Sequence, residues 1–346
     1  MITRLRSPFQ TAILIGLTAM ALGFAGLTQS YADELKAASL RLKWLPQAQF
    51  IGYYVAEEKG WYKDEGINLT INPGGPNIIA ENMVAAGNDT FGHGGGAASI
   101  LQAREKGLDI IGIGLLFQET PYRFVALKGA GIKTIQDLKG KTVSTWFSGT
   151  QYILKALLSA QGVDPSSVNI QAQANSMVPF IEGQVDMATV TVFNEGLYLK
   201  RHNVVPAVSF NPAEMGVNLP NESIIVNGKV AKEDPKLVQG FLNASLKGWT
   251  YAFDHPDEAV DILMKVAPTL KRQEQIEQLE QLRPLMLYGP GTEKGIGYIG
   301  LAQMEFTDQF LVKNGVLTKL VDVKSAIDPS FWANAPKEDK TVGNPG

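Results

Sequence analysis

The sequence predicts an α/β fold made of two units with a cleft between them. Short apolar runs alternate with helical patterns from about residue 38 onward, which is typical of sheets that are largely parallel. The 346 residues allow about two domains of ordinary size. No low-complexity linker separates the units, so we expect a cleft between them, where small ligands often bind.

In the first unit, apolar alternation or continuous apolar character predicts the strands, and a glycine directly follows each predicted helix. The predicted strands are residues 39–44, 67–72, 89–92 and 110–116, and the predicted helices are residues 50–59, 77–86 and 97–106.

The second unit continues this alternation, and helices dominate after it. Strands are predicted at residues 124–127, 142–145, 168–172 and 187–192, and helical stretches at residues 134–138, 151–160, 178–182 and 195–200. Long amphipathic helices are predicted at residues 235–253, 256–266, 272–282 and 296–313. Residues after about 335 are polar and carry Gly and Pro, so we expect them to fray.

Composition and charge exclude several classes of protein. Lys and Arg number 31 against 34 Asp and Glu, and this net charge of −3 argues against binding to nucleic acid. Cysteine is absent, which excludes disulfides, thiolate zinc sites, iron–sulfur clusters and cysteine nucleophiles. The three histidines, His93, His202 and His255, do not cluster as metal ligands usually do, so we expect neither a metal nor a cofactor.

The N-terminus has the pattern of a secretory signal peptide. A basic segment precedes an apolar run at residues 11–27, and Ser30-Tyr31-Ala32 places small residues at the two key cleavage positions. We expect cleavage after Ala32, with an uncleaved membrane anchor as the alternative. A bacterial lipid anchor needs a cysteine at the cleavage point, so we expect a mature protein that is free in a periplasm-like space.

A glycine-rich segment, Gly92-His-Gly-Gly-Gly-Ala97, follows a predicted strand and precedes a predicted helix. It partly fits the dinucleotide fingerprint. However, it would be the third strand–helix turn and no well-placed acidic residue follows, so we do not expect NAD. Backbone N–H groups at the start of a helix can still bind polar ligand atoms. Gly94, Gly95, Gly96 and Ala97 are therefore candidate ligand contacts, with a simple tight turn as the alternative.

The segment Trp146-Phe-Ser-Gly-Thr-Gln151 also leads from a strand into a helix. Trp146 offers an aromatic face, and Ser148, Gly149 and Thr150 offer hydroxyl and backbone N–H donors to a ligand. The alternative is structural, because Ser and Thr are favoured N-cap residues. Ser148 is a poor candidate for a nucleophile, because it does not lie in the pattern G-x-S-x-G.

Two further strand ends carry polar candidates. Trp44 is followed by Gln47 and Gln49, whose amides can donate to and accept from a polar heterocycle. Asn194 and Glu195 start a predicted helix, and the carboxylate can accept from ligand N–H groups. The alternatives are an aromatic core at the first and a helix-capping pair at the second. The common pattern of strand end, aromatic or glycine, and helix start favours binding over reaction.

At these residues the chain resembles the type II periplasmic solute-binding proteins of ABC importers. The branch it resembles groups binders of thiamine pyrimidine precursors, riboflavin and sulfonates. The segments that carry the resemblance are Leu42-Lys-Trp-Leu-Pro-Gln-Ala-Gln-Phe50, Tyr53-Tyr-Val-Ala56, Gly60-Trp-Tyr62, Glu65-Gly66, Gly74-Gly-Pro-Asn77, Gly131-Ile132, Asp137-Leu-Lys-Gly-Lys141 and Asn194-Glu195.

The resemblance implies two α/β lobes with mixed sheets flanked by helices, a ligand cleft between the lobes, and closure of a hinge on the ligand. The implied segments are a signal peptide at residues 1–32, lobe one at 36–123 plus 228–336, lobe two at 124–227, crossover strands at 122–127 and 223–227, and a flexible tail at 337–346. The family's cleft positions would fall on the candidates named above, and more weakly on Tyr288.

The resemblance also implies a monomer that passes a small molecule to a permease and an ATPase. We expect a thiamine pyrimidine precursor, with riboflavin as the alternative. A sulfonate or nitrate is a third possibility, with Arg123 as its cation. We do not expect an enzyme, because the related pyrimidine-synthesising enzymes use a cysteine-rich motif and this chain has an export signal and no cysteine. A periplasmic sensor or docking module is the remaining class.

Overall fold

A computed structural model of the chain describes residues 35–343. The predicted signal peptide and its cleavage site after Ala32 lie outside the described residues. Among the helices in the described part of the chain, none is long and apolar enough to cross a membrane.

Ten strands form two five-stranded sheets in the described residues. In chain order they are β1 Lys36–Arg41, β2 Ile67–Asn72, β3 Phe91–Gly96, β4 Ile110–Phe117, β5 Tyr122–Ala126, β6 Thr142–Thr145, β7 Asn169–Ala172, β8 Met187–Thr191, β9 Val208–Phe210 and β10 Asn221–Asn227. Sheet A has the strand order β2-β1-β3-β10-β4, and sheet B has the order β7-β6-β8-β5-β9.

Both sheets are mixed, and in each one a single strand runs against the others. In sheet A, β10 is antiparallel to β3 and β4, whereas β1 is parallel to β2 and β3. In sheet B, β5 is antiparallel to β8 and β9, whereas β6 is parallel to β7 and β8. The chain passes from sheet A to sheet B through residues 118–121 and returns through residues 211–220. The predicted fold class is confirmed.

Helices flank both sheets and become the main element after β10. They are α1 Ile51–Glu58, α2 Trp61–Asp64, α3 Ala80–Ala85, α4 Ala97–Glu105, α5 Thr150–Ala160, α6 Val178–Ile181, α7 Glu195–Arg201, α8 Gly228–Glu233, α9 Pro235–Asp254, α10 Pro256–Val266, α11 Arg272–Met286, α12 Pro290–Lys294, α13 Leu301–Lys313, α14 Val323–Ala326, α15 Pro329–Asn334 and α16 Lys337–Lys340. Short 3-10 helices lie at Ala48–Phe50, Ile135–Leu138 and Pro165–Ser167.

The largest core lies between sheet A and the long helix α9. Phe91 of β3 stacks on Phe241 of α9, with ring centroids 3.7 Å apart and an angle of 7° between the planes. Tyr53 of α1 and Trp249 of α9 are fully buried beside them. Asp234 caps α9 by accepting from the backbone N–H of Leu237 at 3.2 Å. This core fixes the strands whose ends form the cleft described below.

The glycine-rich segment is the clearest difference from the predicted elements. Residues 89–92 were expected to be a short strand followed by a turn, but β3 spans Phe91–Gly96 and is fully buried. A Cβ atom on Gly94 would lie 2.8 Å from Ser223 Oγ of β10, so the glycines allow the neighbouring strand to approach. The three-residue strand β9 was not predicted, because it is too short to show alternation.

The described part of the C-terminal segment that was expected to fray, up to residue 343, packs on the body of the protein. Lys340 is buried, and its ammonium group donates to the backbone oxygen of Trp332 at 2.8 Å. The backbone oxygen of Lys340 accepts from the N–H of Ile296 at 2.9 Å. The polar composition suggested exposure, but the ammonium group of Lys340 lies 4.4 Å from the centroid of the Trp332 ring.

Candidate functional site

A cleft of about 360 Å³ lies where the ends of strands from both sheets face each other. Its lining residues are Lys43, Trp44, Gln47, Gln49, Tyr122, Trp146, Ser148, Thr150, Thr191, Phe193, Asn194, Glu195 and Glu222. Those on sheet A follow β1 or begin β10, and those on sheet B follow β6 and β8 or begin β5. Clefts at the carboxyl ends of parallel strands are a common place for ligands in α/β folds.

The cleft brings together most of the residues that the sequence indicated. The predicted residues that line it are Trp44, Gln47, Gln49, Trp146, Ser148, Thr150, Asn194 and Glu195. The predicted residues that do not line it are Gly94, Gly95, Gly96, Ala97, Gly149 and Tyr288. Tyr288 is 47% exposed and lies just beyond the end of α11.

The glycine-rich segment does not offer free N–H donors to a ligand, contrary to expectation. The N–H of Gly95 donates to Glu81 Oε1 at 2.9 Å, and the N–H of Gly96 donates to Ser223 Oγ at 3.2 Å. The N–H of Ala97 donates to the backbone oxygen of Pro220 at 3.0 Å. These donors are used within the protein because the segment is a central strand that leads directly into α4, with no free turn between them.

Trp44 and Trp146 supply the aromatic surfaces of the cleft. Their indole rings meet edge to face, with centroids 6.0 Å apart and an angle of 69° between the planes. Trp146 is 7% exposed. Its buried Nε1 has no hydrogen-bond partner among the described residues. A buried donor of this kind favours an acceptor from outside the chain, either a ligand or a water molecule.

The segment Gly74-Gly-Pro76 is hydrogen-bonded to the backbone of Trp44. The N–H of Gly74 donates to the backbone oxygen of Trp44 at 2.9 Å. A Cβ atom on Gly74 would collide with the backbone of Leu42, whereas a Cβ atom on Gly75 would meet nothing within 4 Å. Gly74 is therefore required for the close approach of two backbone segments, and it positions the aromatic residue without lining the cleft.

Gln47 and Gln49 belong to a hydrogen-bonded chain that ends on a carboxylate. Gln47 Nε2 donates to Gln49 Oε1 at 2.6 Å, and Gln49 Nε2 donates to Glu222 Oε2 at 2.9 Å. Gln278 of α11 donates to Gln47 Oε1 at 3.4 Å. Both amides are buried, so the network fixes their orientation and determines which of their atoms face the cleft.

Glu222 lies at the floor of the cleft in an unusual backbone conformation. Its φ is +54°, in the left-handed region that residues other than glycine rarely adopt. The residue is 1% exposed, and its carboxylate forms an ion pair with Lys43 and a hydrogen bond with His93. Strain of this kind persists only where the surrounding contacts hold it, and it is frequent at functional sites.

The charges of this cluster follow from burial and proximity. Burial alone would raise the pKa of Glu222, but Lys43 and His93 outweigh it and hold that pKa at about 2. Burial alone would lower the pKa of Lys43, but the carboxylate of Glu222 raises it above its ordinary value. Burial lowers the pKa of His93. The neutral imidazole therefore donates from Nε2 to Glu222 and accepts at Nδ1 from Tyr53, 3.0 Å away.

The loop after β6 begins α5 without a Ser or Thr cap, contrary to the structural alternative for Ser148. The N-cap residue is Gly149, with φ +125° and no side-chain cap. Gln151 closes the loop instead: its Oε1 accepts from the N–H of Gly149 at 2.9 Å, and its Nε2 donates to the backbone oxygen of Phe147 at 3.0 Å. The Ser148 hydroxyl is therefore not used as a helix cap.

The loop after β6 also contacts sheet A, at Gly95 of β3. A Cβ atom on Gly95 would lie 2.6 Å from the backbone oxygen of Ser148 and 3.1 Å from the Cα of Gly149. The two backbones therefore approach closely beside the cleft, and the absence of a side chain on Gly95 allows this approach.

Asn194 and Glu195 interact with each other and with the end of β8. Glu195 Oε2 accepts from the N–H of Thr191 at 3.0 Å and from its hydroxyl at 2.7 Å, and Asn194 Nδ2 donates to Glu195 Oε1 at 2.8 Å. Burial raises the pKa of Glu195, although these hydrogen bonds oppose the shift. The carboxylate lines the cleft but is already held in place by the protein.

Five lining residues were missed by sequence analysis: Lys43, Tyr122, Thr191, Phe193 and Glu222. Lys43 directly precedes Trp44, so the strand-end pattern that indicated Trp44 could also have indicated Lys43. The cation that was expected, Arg123, does not line the cleft. It donates to the backbone oxygen of Tyr122 at 2.8 Å and lies 3.7 Å from Glu119.

Known proteins are similar to this chain in sequence or in fold. The riboflavin-binding protein RibY of Chloroflexus aurantiacus is 28% identical over 307 residues, which cover 86% of each chain. A 4-amino-5-hydroxymethyl-2-methylpyrimidine phosphate synthase of Legionella pneumophila is 27% identical over 237 residues, which cover 67% of this chain and 74% of the synthase.

Among solved structures, the alkanesulfonate-binding protein SsuA of Xanthomonas axonopodis pv. citri has a TM-score of 0.66 at 17% identity. The match covers 86% of this chain and 99% of that protein. At this identity the likeness shows the fold, which is that of a periplasmic binding protein. The family model described as NMT1/THI5 like matches residues 47–259, more than half of the chain. The chain therefore belongs to the NMT1/THI5-like family.

Proposed function

We propose that the protein is the exported binding component of an ABC importer and that it holds a planar nitrogen heterocycle in the cleft. The observation that carries this proposal is the pair Trp44 and Trp146, whose rings meet at 6.0 Å between strand ends of the two sheets. Aromatic rings of this kind stack on planar ligands. A hinge between the sheets would let the rings close on a ligand from both sides.

Polar groups around the two rings suit the edge of a heterocycle. Ser148, Thr150 and Asn194 line the cleft with hydroxyl and amide groups that can donate and accept. The unpaired Nε1 of Trp146 adds a donor. Ring nitrogens and carbonyl oxygens of a pyrimidine or a flavin are acceptors of the matching kind.

Two ligands are consistent with this chemistry, a thiamine pyrimidine precursor and riboflavin. A pyrimidine is supported by the relative from Legionella pneumophila, whose name includes a substituted pyrimidine. Riboflavin is supported by the relative from Chloroflexus aurantiacus, whose match covers more of both chains. A sulfonate has less support, because the cation that lines the cleft, Lys43, is already paired with Glu222.

Binding without reaction is supported by the state of the titratable groups. Lys43 and His93 both hydrogen-bond to Glu222, and Glu195 is held by Thr191. Such groups orient a network and are less suited to transfer protons to a ligand. Turnover of a pyrimidine or a flavin by the purified protein would contradict this part of the proposal.

The first test is a titration of the chain from Asp33 onward, unfolded and refolded to remove any bound ligand. Riboflavin, 4-amino-5-hydroxymethyl-2-methylpyrimidine and an alkanesulfonate are added separately, and thermal stability and heat of binding are measured. A ligand at about 100 times its Kd should stabilise the protein by about 2.7 kcal/mol. One ligand class with a saturable shift supports the proposal, and no shift with any class contradicts it.

The importer role needs a separate measurement in cells. Uptake of the radiolabelled ligand is compared between a strain with the gene, a deletion strain, and a deletion strain carrying the Trp146→Ala variant. We expect uptake at low external concentration to require the unmodified protein. Equal uptake in all three strains would contradict the importer role and leave the binding function intact.

A further inference from the structure

A second cavity of about 390 Å³ adjoins the cleft, and Ser148 lines both spaces. Its polar lining residues are Glu81, Asn82, Ser99, Gln102, Lys106, Ser148 and Tyr152. We call this space the rear compartment. It lies between α3, α4 and the start of α5, and of the residues indicated by the sequence it includes Ser148 and Gly149.

Only a thin backbone contact separates the rear compartment from the cleft. The separating residues are Gly95 on one side and Ser148 with Gly149 on the other. This contact joins two different sheets, and the hydroxyl of Ser99 lies beside it, next to both Gly95 and Gly149. The cleft and the rear compartment therefore adjoin at Ser148, which lines both.

The rear compartment contains polar groups that are poorly satisfied within the protein. Ser99 is 6% exposed, and its Oγ has no hydrogen-bond partner in the described part of the chain. Glu81 is 4% exposed, and one of its oxygens accepts from the N–H of Gly95 at 2.9 Å. A buried hydroxyl without a partner destabilises the fold, so its presence points to an occupant that hydrogen-bonds to it.

The chemistry of the lining defines that occupant. The hydroxyls of Ser99 and Tyr152 can each donate and accept, as an alcohol does. Gln102 Nε2 donates to Glu105 Oε2 at 2.8 Å, so Gln102 offers its Oε1 as an acceptor. An ionised Glu81 carboxylate can only accept hydrogen bonds, and it would repel an anion. Lys106 is exposed at the edge, so the compartment lacks a buried cation for a phosphate.

We propose that the rear compartment receives an uncharged, hydroxyl-bearing tail of a ligand whose planar ring lies in the cleft. The inference rests on the proposed function, since it places the ring between Trp44 and Trp146. Among the candidate ligands it selects a flavin with a polyol chain over a compact pyrimidine.

The test compares riboflavin with lumiflavin, which has the same ring system with a methyl group in place of the polyol chain. Affinities are measured for the unmodified protein, for Ser99→Ala and Gln102→Ala, and for Ser159→Ala as a control outside both spaces. We expect Ser99→Ala and Gln102→Ala each to raise the Kd for riboflavin about 5-fold or more. The Kd for lumiflavin should stay within about 2-fold, because one hydrogen bond contributes about 1 kcal/mol.

Each other outcome overturns the inference in a distinct way. Equal losses for both flavins would mean that the substitutions act on the ring site, and no loss for either would mean that the tail lies elsewhere. FMN binding more tightly than riboflavin would contradict an uncharged tail. Binding of a pyrimidine and of neither flavin would overturn the inference while the proposed function stands, whereas binding of no heterocycle would end both.

Discussion

The side chains of Trp44 and Trp146 come from different sheets and meet edge to face across the cleft, with their ring centroids 6.0 Å apart. Trp44 follows β1 of sheet A, and Trp146 follows β6 of sheet B. In the proposed complex a planar ligand replaces part of this contact and stacks on at least one ring. The first prediction tests that replacement.

Trp146→Ala should weaken binding of the heterocycle by about 1–3 kcal/mol, because it removes an aromatic face and the unpaired Nε1 donor. Isothermal titration of the ligand found in the first test measures the loss. Trp61→Ala is the matched control, since Trp61 packs on Tyr251 and does not line the cleft. An unchanged affinity in Trp146→Ala, or an equal loss in the control, would remove Trp146 from the binding site.

Gly95→Ala should weaken ligand binding by about 10-fold or more while the fold persists. The added methyl group would lie 2.6 Å from the backbone oxygen of Ser148 and would hold the sheets apart. Gly75→Ala is the control, because nothing lies within 4 Å of a Cβ atom there. Small-angle scattering should show a ligand-induced decrease in the radius of gyration for the control and none for Gly95→Ala. Equal compaction of both variants would contradict the prediction.

Glu222→Gln should destabilise the fold by about 3–5 kcal/mol, because it leaves the Lys43 ammonium buried without its anion. Urea unfolding followed by circular dichroism measures the change. The control is Glu58→Gln, which removes an ion pair with Lys265 that is exposed on both sides. That control should cost less than about 1 kcal/mol. Similar losses in both variants would mean that the buried pair contributes no more than a surface pair.

The same carboxylate makes stability depend on acid pH. The pKa of Glu222 falls from 4.5 to about 2 on folding, so the folded state favours the ionised form. This contribution, on the order of 3 kcal/mol, is fully present above pH 4.5 and is lost as the pH falls toward 2. Unfolding free energies at several acid pH values should fall more steeply for the unmodified protein than for Glu222→Gln. An equal pH dependence of the unfolding free energy in the two proteins would exclude Glu222 as the source of the acid sensitivity.

Much of the fold was predictable because its signals are local. The strands at Ile67–Asn72 and Thr142–Thr145 and the helix at Pro256–Val266 match their predicted bounds, since each combines clear apolar periodicity with a boundary residue. Only the first residues of the glycine-rich strand β3 were predicted, because glycine has low strand propensity and the strand's place in the sheet depends on partners far away in sequence.

The residues of the cleft were likewise predictable where their signals are local, and were missed where their role depends on distant partners. Trp44 and Trp146 were predicted because they stand at the ends of recognisable strands beside turn residues. Glu222 was not, because nothing in the run Asn221–Asn227 distinguishes a buried acid from a surface acid. Its role depends on Lys43 and His93, which are brought to it by the antiparallel return of β10. Long-range pairing of this kind has no signal in a single sequence.

Tyr122 and Glu222 lie at the start of β5 and β10, next to the two places where the chain passes between the sheets. In the proposed closure one sheet would rotate relative to the other about these passages, so the floor of the cleft would move little while the rim would swing widely. A ligand that enters the open form would then find Lys43, Glu222 and Trp44 already together on sheet A, whereas Trp146 of sheet B would reach it only on closure. In the proposed complex the floor would select by hydrogen bonding at first encounter, and the ring of Trp146 would set how long the captured molecule stays.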